Sequence, residues 1–408
     1  MKCGLLGRKL SHSYSPQIHA HLGQYDYALF EKEPEALEEF LRLGDFTGIN
    51  VTIPYKQAVI PYLDELTPVA RAVGAVNTIV RRSDGSLLGH NTDYFGFKAM
   101  VERCGMEARG RKALILGSGG ASQTAQAVLR NLGAQVVVIS RQGENHYGNL
   151  HLHRDAAILV NTTPVGMYPH AGAAPVELER FPKLECVLDV IYNPSKTRLL
   201  LDAQRLGIPW ENGLWMLVAQ AKEAAEYFTG SAIDNGVIGK IHGSLRRQMK
   251  NIVLVGMPGC GKSTIGRLVA EKTKKAFVDS DMEIERLAGR SIPEIFEAEG
   301  EAGFRAWETK VLSQLGQKSS LVIATGGGCV TRDENLPLLR QNGQVFWLKR
   351  DIAALPRDGR PLSLAGNLQQ MYRERVPKYR AFAQWEVNND GLPEQAAQRI
   401  CEIWEGTA

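Results

Sequence analysis

The sequence predicts an α/β protein in which two different parallel-sheet domains follow one another. Two apolar, strand-like runs, 113–116 and 251–255, each end in a glycine-rich loop that leads into a helix-like stretch. A strand, a glycine loop and a helix in this order are typical of parallel α/β sheets. The two loops read GSGGA at 117–121 and GMPGCGKS at 256–263, so they are not an internal repeat.

The order of the predicted elements divides the chain of 408 residues into domains. Residues 1–92 form a lobe of their own, and the stretch 213–247 is predicted to be helical. Residues 93–212 contain the first glycine loop and its sheet. A short basic linker at 246–250 leads into the second sheet domain, which spans 251–408.

Composition excludes several classes of protein. Hydrophobic residues make up 44% of the chain and charged residues 23%, as in ordinary globular domains, and a net charge of +4 without a dense basic run argues against a nucleic-acid binder. No apolar run reaches the roughly 18 residues of a membrane-spanning helix. The six cysteines lack metal-ligand spacing, so we expect reduced thiols in a cytoplasmic chain. The sequence does not predict the oligomeric state.

The second glycine loop matches the phosphate-binding pattern Gly-x-x-x-x-Gly-Lys-Ser/Thr. Backbone N–H groups of such a loop, with the positive end of the following helix, surround phosphate oxygens. Lys262 is expected to reach the β- and γ-phosphates of ATP, and the Ser263 hydroxyl to ligate Mg²⁺. The predicted nucleotide-binding residues are Gly259, Gly261, Lys262, Ser263 and Thr264.

Acidic residues, glycines and arginines follow at later positions. Asp279 and Asp281 are two positions apart on an extended run, so one carboxylate can serve Mg²⁺ while the other accepts a proton from an attacking hydroxyl. Their spacing is equally compatible with a solvated loop. The glycines at 326–328 permit close backbone approach by a ligand. An arginine side chain offers paired donors that suit a carboxylate or a phosphate. The spacing of the arginines does not indicate which of them bind a ligand; the candidates are Arg305, Arg357, Arg360 and Arg380.

The first glycine loop is by itself compatible with a plain strand-to-helix turn. A second predicted strand, 136–139, ends at Ser140-Arg141. An acid at this strand end would bind the ribose hydroxyls of NAD, whereas an arginine suits the 2′-phosphate of NADP. The pattern therefore favours an NADP(H) site formed by Gly117, Gly119, Gly120, Ala121 and Arg141.

Lys56 and Asp93 are candidate acid–base groups upstream of this loop. A lysine beside a carbonyl substrate can donate and accept a proton when burial lowers its pKa. A carboxylate partner would orient the lysine, although its charge opposes that lowering. As an isolated residue, each is more often an ordinary surface charge than a catalytic group.

Motifs throughout residues 251–403 read GMPGCGKSTIGR, FVDSDMEIE, GRSIPEIFEAEGEAGFR, TGGGCV, DGRPLS and VPKYR. This combination resembles shikimate kinase, which has the nucleoside-monophosphate-kinase-like fold. The resemblance implies that Asp281 binds the ring hydroxyls of shikimate and acts in catalysis, that Asp279 lies on the Mg²⁺ side, and that Arg360 covers the transferring phosphate from a lid. It implies further substrate contacts from Gly326, Gly327 and Gly328, with the carboxylate held by Arg305 and Arg380.

Motifs along residues 1–247 read SHSYSP, NVTIPYK, AVNTI, HNTD, GSGGAS, NTTPVGM, DVIYNP and ENGLWMLVAQA. Their order resembles shikimate dehydrogenase, which implies a substrate-binding lobe, 1–92, completed by helices within 213–247, and a Rossmann domain for NADP. The resemblance implies that Lys56, paired with Asp93, is the proton donor and acceptor, and that Gly213 and Met216 flank the nicotinamide. It implies that the substrate is bound by Ser13, Ser15, Thr52, Asn77, Asp93, Tyr192 and Gln220.

Two segments depart from these families. The stretch 348–360 is short, which predicts a trimmed lid over the kinase site. The stretch 141–161 is also short, which predicts that one element of the cofactor domain is missing, and Ser140-Arg141-Gln142 replaces the usual Asn-Arg-Thr.

The resemblances together imply a bifunctional enzyme that reduces 3-dehydroshikimate with NADPH and phosphorylates shikimate with ATP to shikimate 3-phosphate. A regulator built from decayed copies of the same domains is an alternative from another class. Decay would remove catalytic groups first, yet Lys56, Asp93, Lys262 and Asp281 are present. Quinate is the alternative first substrate, and Arg141 together with the serines at 13 and 15 favours shikimate.

Overall fold

The computed structural model describes residues 1–10, 13–355 and 368–406. Its internal contacts divide the chain into two compact units. The first unit comprises Met1–Tyr192 and Thr197–Gly243, and the second comprises Asn193–Lys196 and Ser244–Ala408. Each unit has its own sheets and its own hydrophobic core, and the α/β class predicted from the sequence is confirmed.

The first unit alternates strands and helices along the chain. Its strands are β1 (Lys2–Gly7), β2 (Asp26–Glu31), β3 (Gly48–Val51), β4 (Glu65–Leu66), β5 (Thr78–Arg81), β6 (Leu87–His90), β7 (Lys112–Leu116), β8 (Gln135–Ile139), β9 (Ile158–Asn161), β10 (Cys186–Asp189) and β11 (Trp210–Asn212). Its helices are α1 (Ser15–His19), α2 (Leu37–Leu43), α3 (Pro68–Val73), α4 (Asp93–Arg103), α5 (Gly120–Asn131), α6 (Arg198–Arg205), α7 (Gly213–Thr229) and α8 (Gly236–Met249), of which the last crosses the boundary between the units.

The strands of the first unit form two sheets. The N-terminal sheet is mixed, in the order β2-β1-β3-β5-β6-β4, with β5 antiparallel to both β3 and β6. The next sheet is parallel, in the order β11-β10-β9-β7-β8. Helix α7 packs on the N-terminal sheet, where the Phe228 ring fills the space beside Gly48. Helix α7, although it lies near the C-terminal end of the first unit, is thereby part of the N-terminal lobe.

Helices α4 and α7 lie against each other at a glycine. A Cβ atom on Gly96 would stand 2.6 Å from the carbonyl oxygen of Met216, so only glycine permits this approach. Asp93 begins α4 and Gln220 lies in the middle of α7. Their close packing therefore brings side chains that are far apart in sequence to one place.

Two cysteines differ from the expectation of reduced thiols. Cys104, at the end of α4, and Cys186, the first residue of β10, have their sulfur atoms in disulfide contact, with Cα atoms 7.3 Å apart. Packing of α4 against the parallel sheet creates this proximity across 82 positions, which no sequence spacing indicates. The buried free thiols are Cys3, Cys260, Cys329 and Cys401.

Two local features refine the sequence-based picture. Residues 246–249, predicted as linker, are the last turn of α8, and only Lys250 separates them from the next strand. The shortened stretch after Arg141 contains a 3₁₀ helix, Tyr147–His153, between β8 and β9. Within the described part of the chain, no helix combines the length and apolar character needed to cross a bilayer.

The second unit contains one parallel sheet in the order β13-β14-β12-β15-β16. Strand β12 therefore lies in the middle, and the largest buried side chains beside it include Trp347. The strands are β12 (Asn251–Val255), β13 (Ala276–Asp279), β14 (Leu321–Ala324), β15 (Gly343–Lys349) and β16 (Trp385–Asn388). The helices are α9 (Lys262–Thr273), α10 (Ser280–Ala288), α11 (Ile292–Gln317, kinked at Gly300), α12 (Asn335–Arg340), α13 (Leu368–Phe382) and α14 (Pro393–Gly406).

Candidate active sites

Lys56 and Asp93 form an ion pair in the first unit. The Lys56 ammonium donates to the Asp93 carboxylate at 2.5 Å, and both side chains are mostly buried. Asp93 is the first residue of α4, where the helix dipole favours a negative charge. Lys56 follows β3, and its carbonyl oxygen accepts from the N–H of Val76, which fixes the segment that carries it. The pair is therefore held from two separate elements.

Amide and hydroxyl groups lie beside this pair. The Asn77 amide donates to the Thr92 hydroxyl at 3.0 Å and to the Gln220 carbonyl oxygen at 3.5 Å. The backbone N–H of Thr92 donates to Asn77 Oδ1 at 2.7 Å. Because Thr92 precedes Asp93, this network joins two predicted hydroxyl-binding side chains to the ion pair.

The remaining predicted substrate residues come from both sheets of the first unit: Ser13, Ser15 and Thr52 follow strands of the N-terminal sheet, and Tyr192 follows β10 of the parallel sheet. Strands β1 and β3 are parallel, so the loop after β1, which carries Ser13, and Thr52 after β3 leave the sheet at the same edge. The Ser15 backbone N–H donates to the Ser13 hydroxyl at 3.2 Å. The ring of Tyr14, between the serines, meets the ring of Tyr192 edge-on at 6.2 Å, and burial raises the pKa of Tyr192.

The predicted cofactor residues occupy the carboxyl edge of the parallel sheet. Gly117 follows β7 with a φ of 105°, and Gly119 precedes the first residue of α5, so the loop leads into a helix N-terminus. Arg141 follows β8 and is exposed. Gly213 begins α7, where the Val190 carbonyl leaves no room for a Cβ atom, and Met216 follows one turn later.

The phosphate loop of the second unit runs from β12 into α9. Gly259 and Gly261 have φ values of 81° and 93°, a conformation that favours glycine. The Lys262 ammonium is buried and donates to the carbonyl oxygens of Gly256 and Met257, both at 2.9 Å. These bonds hold the lysine side chain along the phosphate loop, where it is predicted to contact the phosphates of the nucleotide. Thr264 lines the same cavity.

Ser263 and Asp279 are suited to a magnesium ion. The Ser263 hydroxyl donates to Asp279 Oδ2 at 2.6 Å, so two oxygen ligands lie side by side at the phosphate loop. Among the described residues, no group of three His, Cys, Asp or Glu side chains is arranged for a metal. Mg²⁺ is usually held by one or two protein oxygens with substrate phosphates and waters, so this donor set fits it.

Two buried carboxylates face the glycine loop that follows β14. Asp281 Oδ1 and Glu308 Oε1 are buried without a hydrogen-bond partner, and a Cβ atom on Gly326 would lie 2.8 Å and 2.7 Å from them. Burial raises the pKa of Asp281, and the neighbouring Asp279 adds to this effect. Burial likewise raises the pKa of Glu308. Unpaired buried acceptors beside a cavity indicate donors on a ligand.

Arg305 and the glycine loop complete this part of the cavity. The buried Arg305 guanidinium donates to Glu308 Oε2 at 2.8 Å, and a Cβ atom on Gly328 would collide with it. A Cβ atom on Gly327 would stand 2.6 Å from Pro258 in the phosphate loop. The loop 326–328 thus separates the phosphate site from the Arg305 side of a cavity of about 540 Å³.

The structure corrects one predicted arginine. Arg380 does not line the cavity; its side chain is 62% exposed and pairs with Glu386. Arg375, one and a half turns earlier on α13, is buried, lines the cavity and donates to the Gly327 carbonyl at 3.2 Å. The motif VPKYR ends in Arg380 and directly follows Arg375, and only the orientation of the helix distinguishes the two arginines. Arg357 and Arg360 lie outside the described residues.

Glu308 and Arg375 are the functional candidates that the sequence analysis missed. Glu308 is three residues after Arg305, and side chains at this spacing share a helix face, which is a signal that was available in the sequence. An apolar wall, in which the rings of Phe296 and Phe304 stack at 4.7 Å, closes the same side of the cavity.

Comparison with known families agrees with both halves of the chain. The family model for the shikimate dehydrogenase substrate binding domain matches residues 5–79, and the model for shikimate kinase matches residues 258–405. The shikimate dehydrogenase (NADP(+)) of Clostridium perfringens strain SM101 is 36% identical over 265 residues, which cover 60% of this chain and 97% of the relative. The enzyme of the same name from Halothermothrix orenii is 38% identical over 263 residues, covering 56% and 90%.

Two solved structures similar to this chain contain a shikimate dehydrogenase. Shikimate dehydrogenase 1 from Peptoclostridium difficile shares 37% identity over 60% of this chain and 97% of its own, with a TM-score of 0.55. A chorismate mutase/shikimate 5-dehydrogenase fusion from Clostridium acetobutylicum shares 35% identity over 60% and 96%, with a TM-score of 0.57. The chain therefore belongs to the shikimate dehydrogenase family and, with its C-terminal shikimate kinase domain, is a bifunctional enzyme of the shikimate pathway.

Proposed function

We propose that the first unit reduces 3-dehydroshikimate to shikimate with NADPH and that the second phosphorylates shikimate with ATP to shikimate 3-phosphate. The observation that carries this proposal is a group of three side chains beside a phosphate loop. Asp281 and Glu308 each have a buried oxygen without a hydrogen-bond partner, and the buried guanidinium of Arg305 lies next to them. Such a set suits an acceptor with hydroxyl groups and a carboxylate. The preceding unit belongs to a family whose members are named for the same compound.

In the first unit, Lys56 acts as the acid for ketone reduction. NADPH, when bound, supplies the hydride. The Lys56 ammonium gives a proton to the developing alkoxide, and Asp93 keeps the lysine oriented and stabilises its charged form. Asn77 and Gln220 bind ring hydroxyls, while Ser13, Ser15 and Tyr192 receive the carboxylate end. In the reverse direction, neutral Lys56 accepts the same proton.

In the second unit, Asp281 receives the proton of the attacking hydroxyl. Its pKa, raised by burial, makes it a stronger base than an exposed aspartate. Arg305 and Arg375 hold the acceptor carboxylate through their paired donors. Lys262 leaves its loop carbonyls to contact the phosphates of ATP, and Arg360 covers the transferring group. Ser263 and Asp279 would hold Mg²⁺, which neutralises phosphate charge when bound.

Steady-state assays of the full chain test this proposal. Shikimate and quinate are each supplied with NADP and with NAD, and kinase turnover is measured with ATP and Mg²⁺. We expect the highest kcat/KM of the dehydrogenase with shikimate and NADP, and a phosphorylated product whose phosphate is at the 3-hydroxyl by ³¹P–¹H correlation. Higher kcat/KM with quinate would contradict the proposal for the first unit, and absence of phosphorylation would contradict it for the second.

A further inference from the structure

Arg350 is a cationic side chain in the kinase cavity that the assignments above leave unused. It is the first residue after β15 and is half-buried. Its Nε atom is buried and has no hydrogen-bond partner among the residues that the structure describes. A buried donor without an acceptor is costly, so its persistence in a cavity points to a ligand that supplies the acceptor.

The other cationic residues described in the cavity lining already have acceptors within the protein. Lys262 donates to two carbonyl oxygens of the phosphate loop. Arg305 donates to Glu308, and Arg375 donates to the Gly327 carbonyl. Arg350 differs because its Nε contacts neither a carboxylate nor a carbonyl oxygen. Its charge is therefore available to an anionic ligand.

The sheet order assigns Arg350 to the phosphate donor rather than to the acceptor. Strand β12, which carries the phosphate loop, lies between β14 and β15. The acceptor loop 326–328 follows β14, so Arg350, following β15, flanks the phosphate loop on the opposite side. The carbonyl of Leu348, two residues earlier, packs against Gly256 at the start of the phosphate loop.

The backbone that leads into Arg350 is joined to the phosphate loop through Asn389. The carbonyl oxygen of Lys349 accepts from the Asn389 N–H at 2.8 Å, which continues the pairing of β15 with β16. The Asn389 amide donates to the carbonyl of Cys260 in the phosphate loop at 2.6 Å. The strand end and the phosphate loop are thus tied together, so the backbone that carries Arg350 is held beside the loop.

We propose that the Arg350 guanidinium binds the phosphate chain of the nucleoside triphosphate in the kinase site. The inference rests on the proposed kinase function for its ligand. A guanidinium presents paired N–H donors to phosphate oxygens, and such charge-assisted bonds are about twice as strong as neutral ones.

The test compares Arg350→Ala and Arg350→Lys in the full chain by calorimetric titration with ATP in the absence of acceptor. We expect the Kd for ATP to rise about tenfold or more in Arg350→Ala, since a charged hydrogen bond is lost. Arg350→Lys, which keeps the charge without the paired donors, should give an intermediate Kd. The KM for shikimate should change by less than about twofold in both variants.

Lys349→Ala is the matched control, because Lys349 is adjacent, cationic and paired with Glu386 at the surface. It should leave the Kd for ATP unchanged. Thermal unfolding of each variant, followed by circular dichroism, reports whether the kinase unit is folded. An unchanged Kd in Arg350→Ala, or a rise confined to the KM for shikimate, would overturn the inference. Because ATP binding is measured without acceptor, failure of wild type to phosphorylate shikimate would instead contradict the proposed function.

Discussion

At the scale of single residues, burial decides which charged groups are available for chemistry. Asp281 and Glu308 have unpaired oxygens in a cavity, whereas Arg380 forms an exposed ion pair with Glu386. Exposed pairs contribute little free energy because water screens them. The arginine that is buried, Arg375, is therefore the candidate for acceptor binding, although only Arg380 belongs to the motif VPKYR.

Substitution of Arg375 and Arg380 tests this distinction. Arg375→Ala should raise the KM for shikimate about tenfold or more, because a buried charged hydrogen bond to the acceptor carboxylate is lost. Arg380→Ala should change it less than about twofold, since its charge is exposed. Initial-rate kinase assays over a range of shikimate at saturating ATP measure both. A larger effect from Arg380→Ala would restore the assignment made from sequence.

His90 gives the first unit a predictable dependence on pH. Burial lowers the pKa of His90 from 6.5 to about 4, while its Nδ1 lies 2.7 Å from the Thr67 hydroxyl. Below pH 6.5, His90 is protonated in the unfolded chain but stays neutral in the folded chain until the pH falls to about 4. His90 therefore lowers the free energy of unfolding progressively as the pH falls from 6.5 to about 4, and no further below that.

His90→Gln, which keeps a hydrogen-bonding group, should remove this contribution. Between about pH 7 and about pH 5, the free energy of unfolding of the first unit should fall by about 2 kcal/mol less in the variant than in wild type. Urea titrations at the two pH values, followed by hydrogen exchange of first-unit amides, measure the difference. Equal losses in the two proteins would show that His90 titrates normally in the folded state.

At the scale of elements, α13 fixes the glycine loop of the kinase site. The Tyr379 hydroxyl, on a fully buried ring stacked beside Trp347, donates to the Gly327 carbonyl at 2.5 Å. Arg375, one turn earlier, donates to the same carbonyl. Because a trans peptide directs its C=O and N–H to opposite sides, these bonds orient the Gly328 N–H away from the helix. A helix thereby sets the geometry of a loop far from it in sequence.

Tyr379→Phe should loosen this loop without emptying the core, because only the hydroxyl is removed. We expect the KM for shikimate to rise about three- to tenfold, from the loss of one hydrogen bond, while the KM for ATP changes by less than about twofold. Initial rates with each substrate varied in turn give both constants. A lower melting temperature with both KM values unchanged would show that Tyr379 serves only the fold.

At the scale of the whole molecule, the two activities belong to units with separate cores. Lys56→Ala should reduce dehydrogenase kcat by at least about 100-fold and leave kinase kcat nearly unchanged. Lys262→Ala should do the reverse. Parallel assays of each variant, with circular dichroism as a check on folding, test this. A folded single variant in which both activities are lost would contradict independent units.

The sequence by itself determined the α/β class, the two glycine loops and the families, because each of these depends on residues that are close together in the sequence. A phosphate loop needs glycines with positive φ, a lysine and a hydroxyl within eight positions, so Gly259, Gly261, Lys262 and Ser263 are recognisable without a structure. The alternation of apolar runs and helices is likewise recognisable without a structure. The last turn of α8 is an exception, because its basic residues Arg246 and Arg247 predict a linker instead of a helix.

Only the tertiary structure decided which side chains meet. The bond between Lys56 and Asp93 joins residues 37 positions apart, and the contact of Asn77 with Gln220 spans 143 positions. The second contact depends on close packing of α4 and α7 at Gly96, which no spacing reveals. Likewise, the choice of Arg375 over Arg380 and the open donor of Arg350 follow from burial. Burial is a property of the packed chain, since it is set by elements that are distant in sequence.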